Sequence, residues 1–198
     1  MIEREVKLSF PNADVARSAL LGAGAAAAQA RRLQDDSLYD TADESFRKKG
    51  CMVRLRTERW PDGARATFIT VKGPVQPGPM KMREEHETRI EQGDVLARGF
   101  ELLGLRPWFR YQKYREEFAA TNLVAAIDET PVGVFVELEG SDEAIRAMTA
   151  ALGKSSDDFI LDSYYRLFQN RREQFGLSGP YMLFPPSSLR DSGGTSPA

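Results

Sequence analysis

Ile2-Glu3-Arg4-Glu5-Val6-Lys7-Leu8 opens the chain with charged side chains at alternating positions. Successive side chains of a strand point to opposite faces, so Glu3, Glu5 and Lys7 share one face while Ile2, Val6 and Leu8 occupy the other. Taken alone, this is an amphipathic strand with its charges in water. Repetition argues otherwise, because the arrangement returns along the chain with charges of both signs.

Met52-Val53-Arg54-Leu55-Arg56-Thr57 sets Arg54 and Arg56 against Val53 and Leu55, and the segment 66–72 ends in Lys72. The segment 82–90 carries Arg83, Glu85, Glu87 and Arg89 on one face, 110–118 carries Lys113 and Arg115, and 123–128 ends in Asp128. The segment 133–139 sets Glu137 and Glu139 against Val136 and Leu138, and 34–41 supplies a further strand. Eight strands joined mostly by short turns predict an α+β fold built on an eight-stranded antiparallel β-barrel flanked by helices.

Helix signals fill the intervals. Asn12 is placed to cap a helix ending near Gly22, Asp94 one running through Leu103 to Gly104, and Ser141 one ending at Gly153. A last amphipathic element begins in Asp162-Ser163-Tyr164-Tyr165-Arg166-Leu167-Phe168. The alanine-rich run 22–30 reads as helix end plus connection, and 46–50 as a connection. Gly73-Pro74-Val75-Gln76-Pro77-Gly78-Pro79 reads as a mobile hairpin loop able to serve as a lid. One domain is expected over 1–175, with a flexible tail over 176–198 where Pro, Ser and Gly accumulate.

Composition narrows the chemistry. The 198 residues suffice for one sizeable core, and 27 Lys and Arg against 29 Asp and Glu leave a net charge of -2. No global field recruits nucleic acid or an anionic membrane, so any anion site is local. A single cysteine, Cys51, excludes an internal disulfide, and a single histidine, His86, argues against an imidazole metal centre. Oxygen ligands would suit Mg, Mn or Ca. The absence of a long apolar run or a signal-like start suggests a soluble, cytoplasmic protein. His86, Cys51, Trp60 and Trp108 read as packing or exposed residues, and Tyr39 and Tyr164 as either packing or substrate contacts.

If the charged faces turn inward, the lumen gathers Lys7, Arg54, Arg56, Lys72, Arg83, Lys113 and Arg115 with Glu3, Glu5, Glu85, Glu87, Asp128, Glu137 and Glu139. Such a lumen must be wet or filled by something of compensating charge. A polyphosphate with divalent metals meets that demand: Arg and Lys donate to phosphate oxygens. Carboxylates two residues apart on a strand lie roughly 6.5 to 7 Å apart, close enough to share one metal or serve two.

The sequence resembles the CYTH domains, or triphosphate tunnel metalloenzymes, which include class IV adenylate cyclases and thiamine triphosphatases. The resemblance begins with Glu3-x-Glu5-x-Lys7 and continues in family order. Tyr39-Asp40-Thr41, Val53-Arg54-Leu55-Arg56 and Val71-Lys72-Gly73 come next, then Arg83-x-Glu85-x-Glu87, Lys113-x-Arg115, Asp128 and Glu137-x-Glu139. It spans about residues 1 to 170. It implies a tunnel that binds a triphosphate with Mg or Mn. Glu3, Glu5, Glu137 and Glu139 would be metal ligands with Asp128 and Glu85 or Glu87 nearby. Lys7, Arg54, Arg56, Lys72, Lys113 and Arg115 would hold phosphates and serve catalysis, with Arg83 beside them. Ser163-Tyr164 resembles the start of the family's C-terminal helix.

Three functions follow as expectations. The first is metal-dependent hydrolysis of inorganic triphosphate, thiamine triphosphate or another organic triphosphate. The second is cyclisation of ATP to cyclic AMP and pyrophosphate, and the third is polyphosphate binding without catalysis. An exposed apolar patch on a barrel face would support a homodimer.

Overall fold

The computed structural model describes residues 2–185. Eight strands close into an antiparallel barrel: β1 (Ile2–Phe10), β2 (Ala26–Asp40), β3 (Met52–Arg59), β4 (Arg65–Lys72), β5 (Lys81–Ile90), β6 (Arg106–Ala120), β7 (Leu123–Thr130) and β8 (Gly133–Gly140). Their order around the ring is β1-β5-β4-β3-β2-β6-β7-β8. Closure leaves no long free edge, which suits strands this rich in backbone donors and acceptors.

The alternation in β1 decides which side of the wall each residue faces. Val6 and Leu8 turn outward into a core with Phe118, Ile127, Val136 and Leu138, covered by α1 (Ala13–Gly22) and α4 (Asp142–Ala151) through Leu20, Ile145 and Met148. α3 (Gly93–Leu102) covers another part of the wall through Phe100, which meets Tyr39 edge-on at 5.0 Å. Short α2 (Ser45–Lys48) sits under Asp40, whose carboxylate accepts from the backbone of Phe46 and Arg47. α5 (Tyr164–Arg171) closes one end of the barrel, packing Tyr164, Leu167 and Phe168 against Phe109 and Phe135.

Asn12 and Ser141 cap their helices through the backbone of Val15 and Ala144, as their positions predict. Asp94 does not cap α3: Gln92 holds that position, and Asp94 sits in the first turn, where it pairs with Arg98. The alanine-rich run is also corrected. From Ala26 onward it is strand, pairing with the far end of β6 at Ala119 and Phe118. Its register slips between Ala27, Gln29 and Arg32. Alanine is the best intrinsic helix former, but propensity is a weak determinant, and cross-strand pairing overrides it here.

Two later segments patch the wall. Ile160 exchanges backbone hydrogen bonds with Lys7. Met182, fully buried, accepts from the Gln112 backbone N–H and donates to Arg110. The expected tail therefore follows β6 as far as Pro185, while residues 186–198 lie outside the described residues. Among the described residues no helix is long and apolar enough to cross a membrane.

Candidate active site

The lumen is a cavity of about 920 Å³. Of the charged residues gathered as lumen-facing, all line it except Asp128, which is fully buried among Lys113, Arg115 and Tyr164. Arg89, on the same face of β5, is exposed and does not line it. Tyr39 packs outside the barrel, and exposed His86 pairs with Glu84 at the rim.

Most lumen cations are held by carboxylates, whereas buried Arg83 Nε has no hydrogen-bond partner among the described residues. Lys7 Nζ lies 3.2 Å from both Glu5 and Glu137. Lys72 Nζ lies 2.6 Å from both Glu3 and Glu85. Arg54 donates to Thr70 and Glu87. Arg56 donates to Asp36 at 2.8 Å. Lys113 and Arg115 converge on Asp128, where Arg115 also reaches Glu137 and the Tyr164 hydroxyl donates to Asp128. The Tyr164 ring lies 4.6 Å from Lys113 Nζ and 5.2 Å from Lys7 Nζ.

The wall thus has two regions. Across β2, β3, β6 and β7, buried Asp36 and Asp128 orient Arg54, Arg56, Lys113 and Arg115. Burial works against both carboxylates, but the cations around them keep them below their ordinary range. Lys113 shows the opposite balance, since burial, then Arg115, push it down to about 7 despite Asp128 and Glu137.

On β1, β5 and β8 the carboxylates dominate. Glu5 and Glu139 oppose each other across β1 and β8, and Lys7 opposes Glu137. Burial and the adjacent Glu5 push Glu3 up to about 8, where it hydrogen-bonds Glu85. Partial burial, with Glu137, Glu85 and Glu5 around it, pushes Glu139 to about 7. Glu5 itself stays low, because Lys7 and Lys81 outweigh its burial.

This crowding is the setting in which an added cation is favourable, and an all-oxygen donor set fits Mg or Mn. The donors are not gathered as a cage: among the described residues no three acidic, His or Cys side chains converge on one point. Glu3 and Glu5 instead rest on lysines.

Sequence reasoning missed several lumen residues. Asp36 was passed over within a predicted strand, although it lies two positions from Gln34 on the same face and opposite Arg56. Arg32 and Glu58 line the cavity beyond the predicted strand ends, and Glu117 lines it from within a predicted strand, on the face of Lys113 and Arg115. Lys81 lies just before its predicted strand and pairs with Glu5. Trp60 and Trp108, read as packing, both line the cavity, as does Tyr164.

The CYTH domain profile matches residues 1–164. A protein of Methanocaldococcus jannaschii named "putative adenylate cyclase" is 32% identical over 69% of this chain and 82% of its own length. Two solved structures have the same fold at a TM-score of 0.74. One is a "putative adenylate cyclase" of Vibrio parahaemolyticus, 20% identical, matching 85% of this chain and 98% of its own. The other is a protein of Pyrococcus horikoshii, 23% identical, matching 86% and 99%. A Hippeastrum protein described as a "putative adenylyl cyclase" with a dominant triphosphatase activity matches at a TM-score of 0.62 and 16% identity, over 90% of this chain and 97% of its own. With its ordered charged strands closed into one barrel, this chain belongs to the CYTH domain family.

Proposed function

We propose that this protein is a divalent-metal-dependent triphosphatase that cleaves a phosphoanhydride bond inside the barrel. The observation that carries the reading is the division of one enclosed lumen into a cation-rich wall and a carboxylate-rich wall, each pairing with the other. A triphosphate takes up the lysines and arginines, which frees the carboxylates that those cations held.

Lys7, Arg54, Arg56, Lys72, Arg83, Lys113 and Arg115 would bind phosphate oxygens, the guanidinium groups as planar forks. Asp36 and Asp128 keep the forks oriented from behind, so little reorganisation is needed as charge spreads over the transferring phosphoryl group. Glu3, Glu5, Glu137 and Glu139 would hold Mg or Mn, with Glu85 and Glu87 at the margin. An ion held there would supply charge to neutralise phosphate oxygens and would lower the pKa of an attacking water. Asp128, saturated by Arg115, Lys113 and Tyr164, serves as an orienting residue.

A cyclase is the second reading, favoured by the name of the Methanocaldococcus jannaschii relative. The dominant triphosphatase activity described for the Hippeastrum protein favours hydrolysis. Phosphorus NMR of inorganic triphosphate, ATP and thiamine triphosphate incubated with the protein and Mg or Mn tests both. Orthophosphate release supports the triphosphatase; cyclic AMP with pyrophosphate replaces it with the cyclase; binding without turnover leaves a polyphosphate-binding module.

A further inference from the structure

We infer that the end of the lumen beside Trp60 is a subsite for an amine-bearing aromatic heterocycle, so that the substrate is an organic triphosphate; this rests on the triphosphate reading above for the phosphate-binding wall.

Trp60 stands at the start of the β3–β4 turn, where its backbone N–H donates to Ala64 and its carbonyl accepts from Gly63. That fixes the backbone from which the indole lines the cavity, with Phe68 and Val124 on the same lining. Among the described residues no other ring stacks on it, and the Arg32 guanidinium lies 5.8 Å from its centre. A partly exposed indole at a cavity end offers an aromatic face for stacking.

Beside it lies a polar cluster that the phosphate-binding reading does not use. Arg32, 4% exposed, donates from Nε to Glu58 at 2.8 Å and from Nη2 to Glu117 at 2.6 Å, while its buried Nη1 has no partner. Gln34 also donates to Glu58, and its own buried Oε1 has no partner. Buried polar atoms are ordinarily satisfied, so two unpaired ones in a single cluster mark a place where a ligand has something to bond. Glu117 engages Arg32 through Oε1, leaving Oε2 without a hydrogen bond among the described residues.

The cluster continues the phosphate-binding wall without a break. Arg32 pairs in register with Arg115 and Gln34 with Lys113, while Glu58 lies two positions beyond Arg56 on the same strand face. An organic group on the Trp60 side of a triphosphate held by Arg56, Lys113 and Arg115 falls on this cluster. An exocyclic amine donates to Glu117 Oε2, and the ring nitrogen beside it supplies the acceptor that Arg32 Nη1 lacks. Adenine presents that pair of groups; uracil presents a carbonyl to the carboxylate and is disfavoured. The other aromatic end is already filled: Arg47 lies 4.1 Å over the Trp108 ring, and Tyr165 meets its edge at 5.0 Å.

The test compares kcat/KM with Mg for ATP, UTP and inorganic triphosphate in the wild type, Trp60→Ala, Glu117→Gln and Trp108→Ala. The wild type is expected to prefer ATP over both others. Trp60→Ala and Glu117→Gln should each cut ATP turnover about tenfold more than triphosphate turnover, the scale of one lost base stack. Equal losses for all substrates, or a preference that disappears in Trp108→Ala instead, overturn the subsite. If nothing is turned over, the triphosphatase reading falls while the subsite is still decided by fluorescence. In Trp108→Phe the sole indole is Trp60, whose emission ATP should quench and inorganic triphosphate should not; equal or absent quenching overturns the inference.

Discussion

Glu5 and Glu139 stand directly opposite each other on β1 and β8, both lining the lumen. Like charges in that position destabilise a sheet. Lys7 and Lys81 hold Glu5, whereas no cation forms an ion pair with Glu139 among the described residues. The pair is therefore half-compensated, and its unbalanced half is the stronger invitation to a metal.

Removing the unbalanced charge should stabilise the metal-free protein. Glu139 titrates near 7 when folded and near 4.5 when unfolded, so its ionisation costs stability as pH rises through that interval. In the presence of chelator, Glu139→Gln should melt higher than the wild type at pH 8 and equally at pH 4. The gain should not exceed about 1 kcal/mol, because Glu139 is exposed and solvent screens it. Thermal melts at the two pH values check this; a lower melting temperature at pH 8 contradicts it.

Metal binding should separate the carboxylates from the rest of the wall. Mg at about a hundred times its dissociation constant should stabilise the wild type by about 2.7 kcal/mol. Glu5→Gln and Glu139→Gln should lose most of that increment and metal-dependent turnover with it. Calorimetric melts with and without Mg decide, and a full increment in both variants removes them from the metal site.

Lys113 carries the opposite linkage. Its folded value of about 7 lies below the ordinary 10.5, so the penalty on its charged form is full below pH 7 and fades towards pH 10.5. Lys113→Met takes one of two cations from buried Asp128, which keeps Arg115 and Tyr164, so the ligand-free protein should lose stability, and lose less at pH 6 than at pH 10. Triphosphate affinity should also fall at least about tenfold, the equivalent of one charge-assisted hydrogen bond. Melting curves paired with titration calorimetry read both effects.

The attachment of α5 to the barrel should be graded. Tyr164→Phe removes one donor from Asp128, which keeps Lys113 and Arg115, so the loss should be about 1 to 2 kcal/mol. Asp128→Asn strips two buried cations of their shared carboxylate and should cost about 3 to 5 kcal/mol. Urea unfolding of both variants measures the difference, and equal losses would show that Tyr164 and not the cations anchors Asp128.

Much of the barrel was legible because period-two alternation is a local signal. Arg54-x-Arg56, Lys113-x-Arg115 and Glu137-x-Glu139 each fix a face, and closure then gives every face one inside. The alanine-rich start of β2 carried no such signal, since small side chains neither alternate in polarity nor favour strand. Asp36, Glu58, Arg32 and Lys81 were hidden for another reason. A single charge near a strand end reads as solvated until its cross-strand partner is known.

The sequence by itself determined the strand faces, the sign of the charge on each and the order in which they occur, because these depend only on backbone geometry and adjacent residues. Only the tertiary structure decided that Lys72 meets Glu3, that Arg115 and Lys113 share Asp128, and that Trp60 faces the lumen beside Arg32. Those relationships join residues far apart in the chain, and it is barrel closure and strand register that set their distances, burial and charge balance.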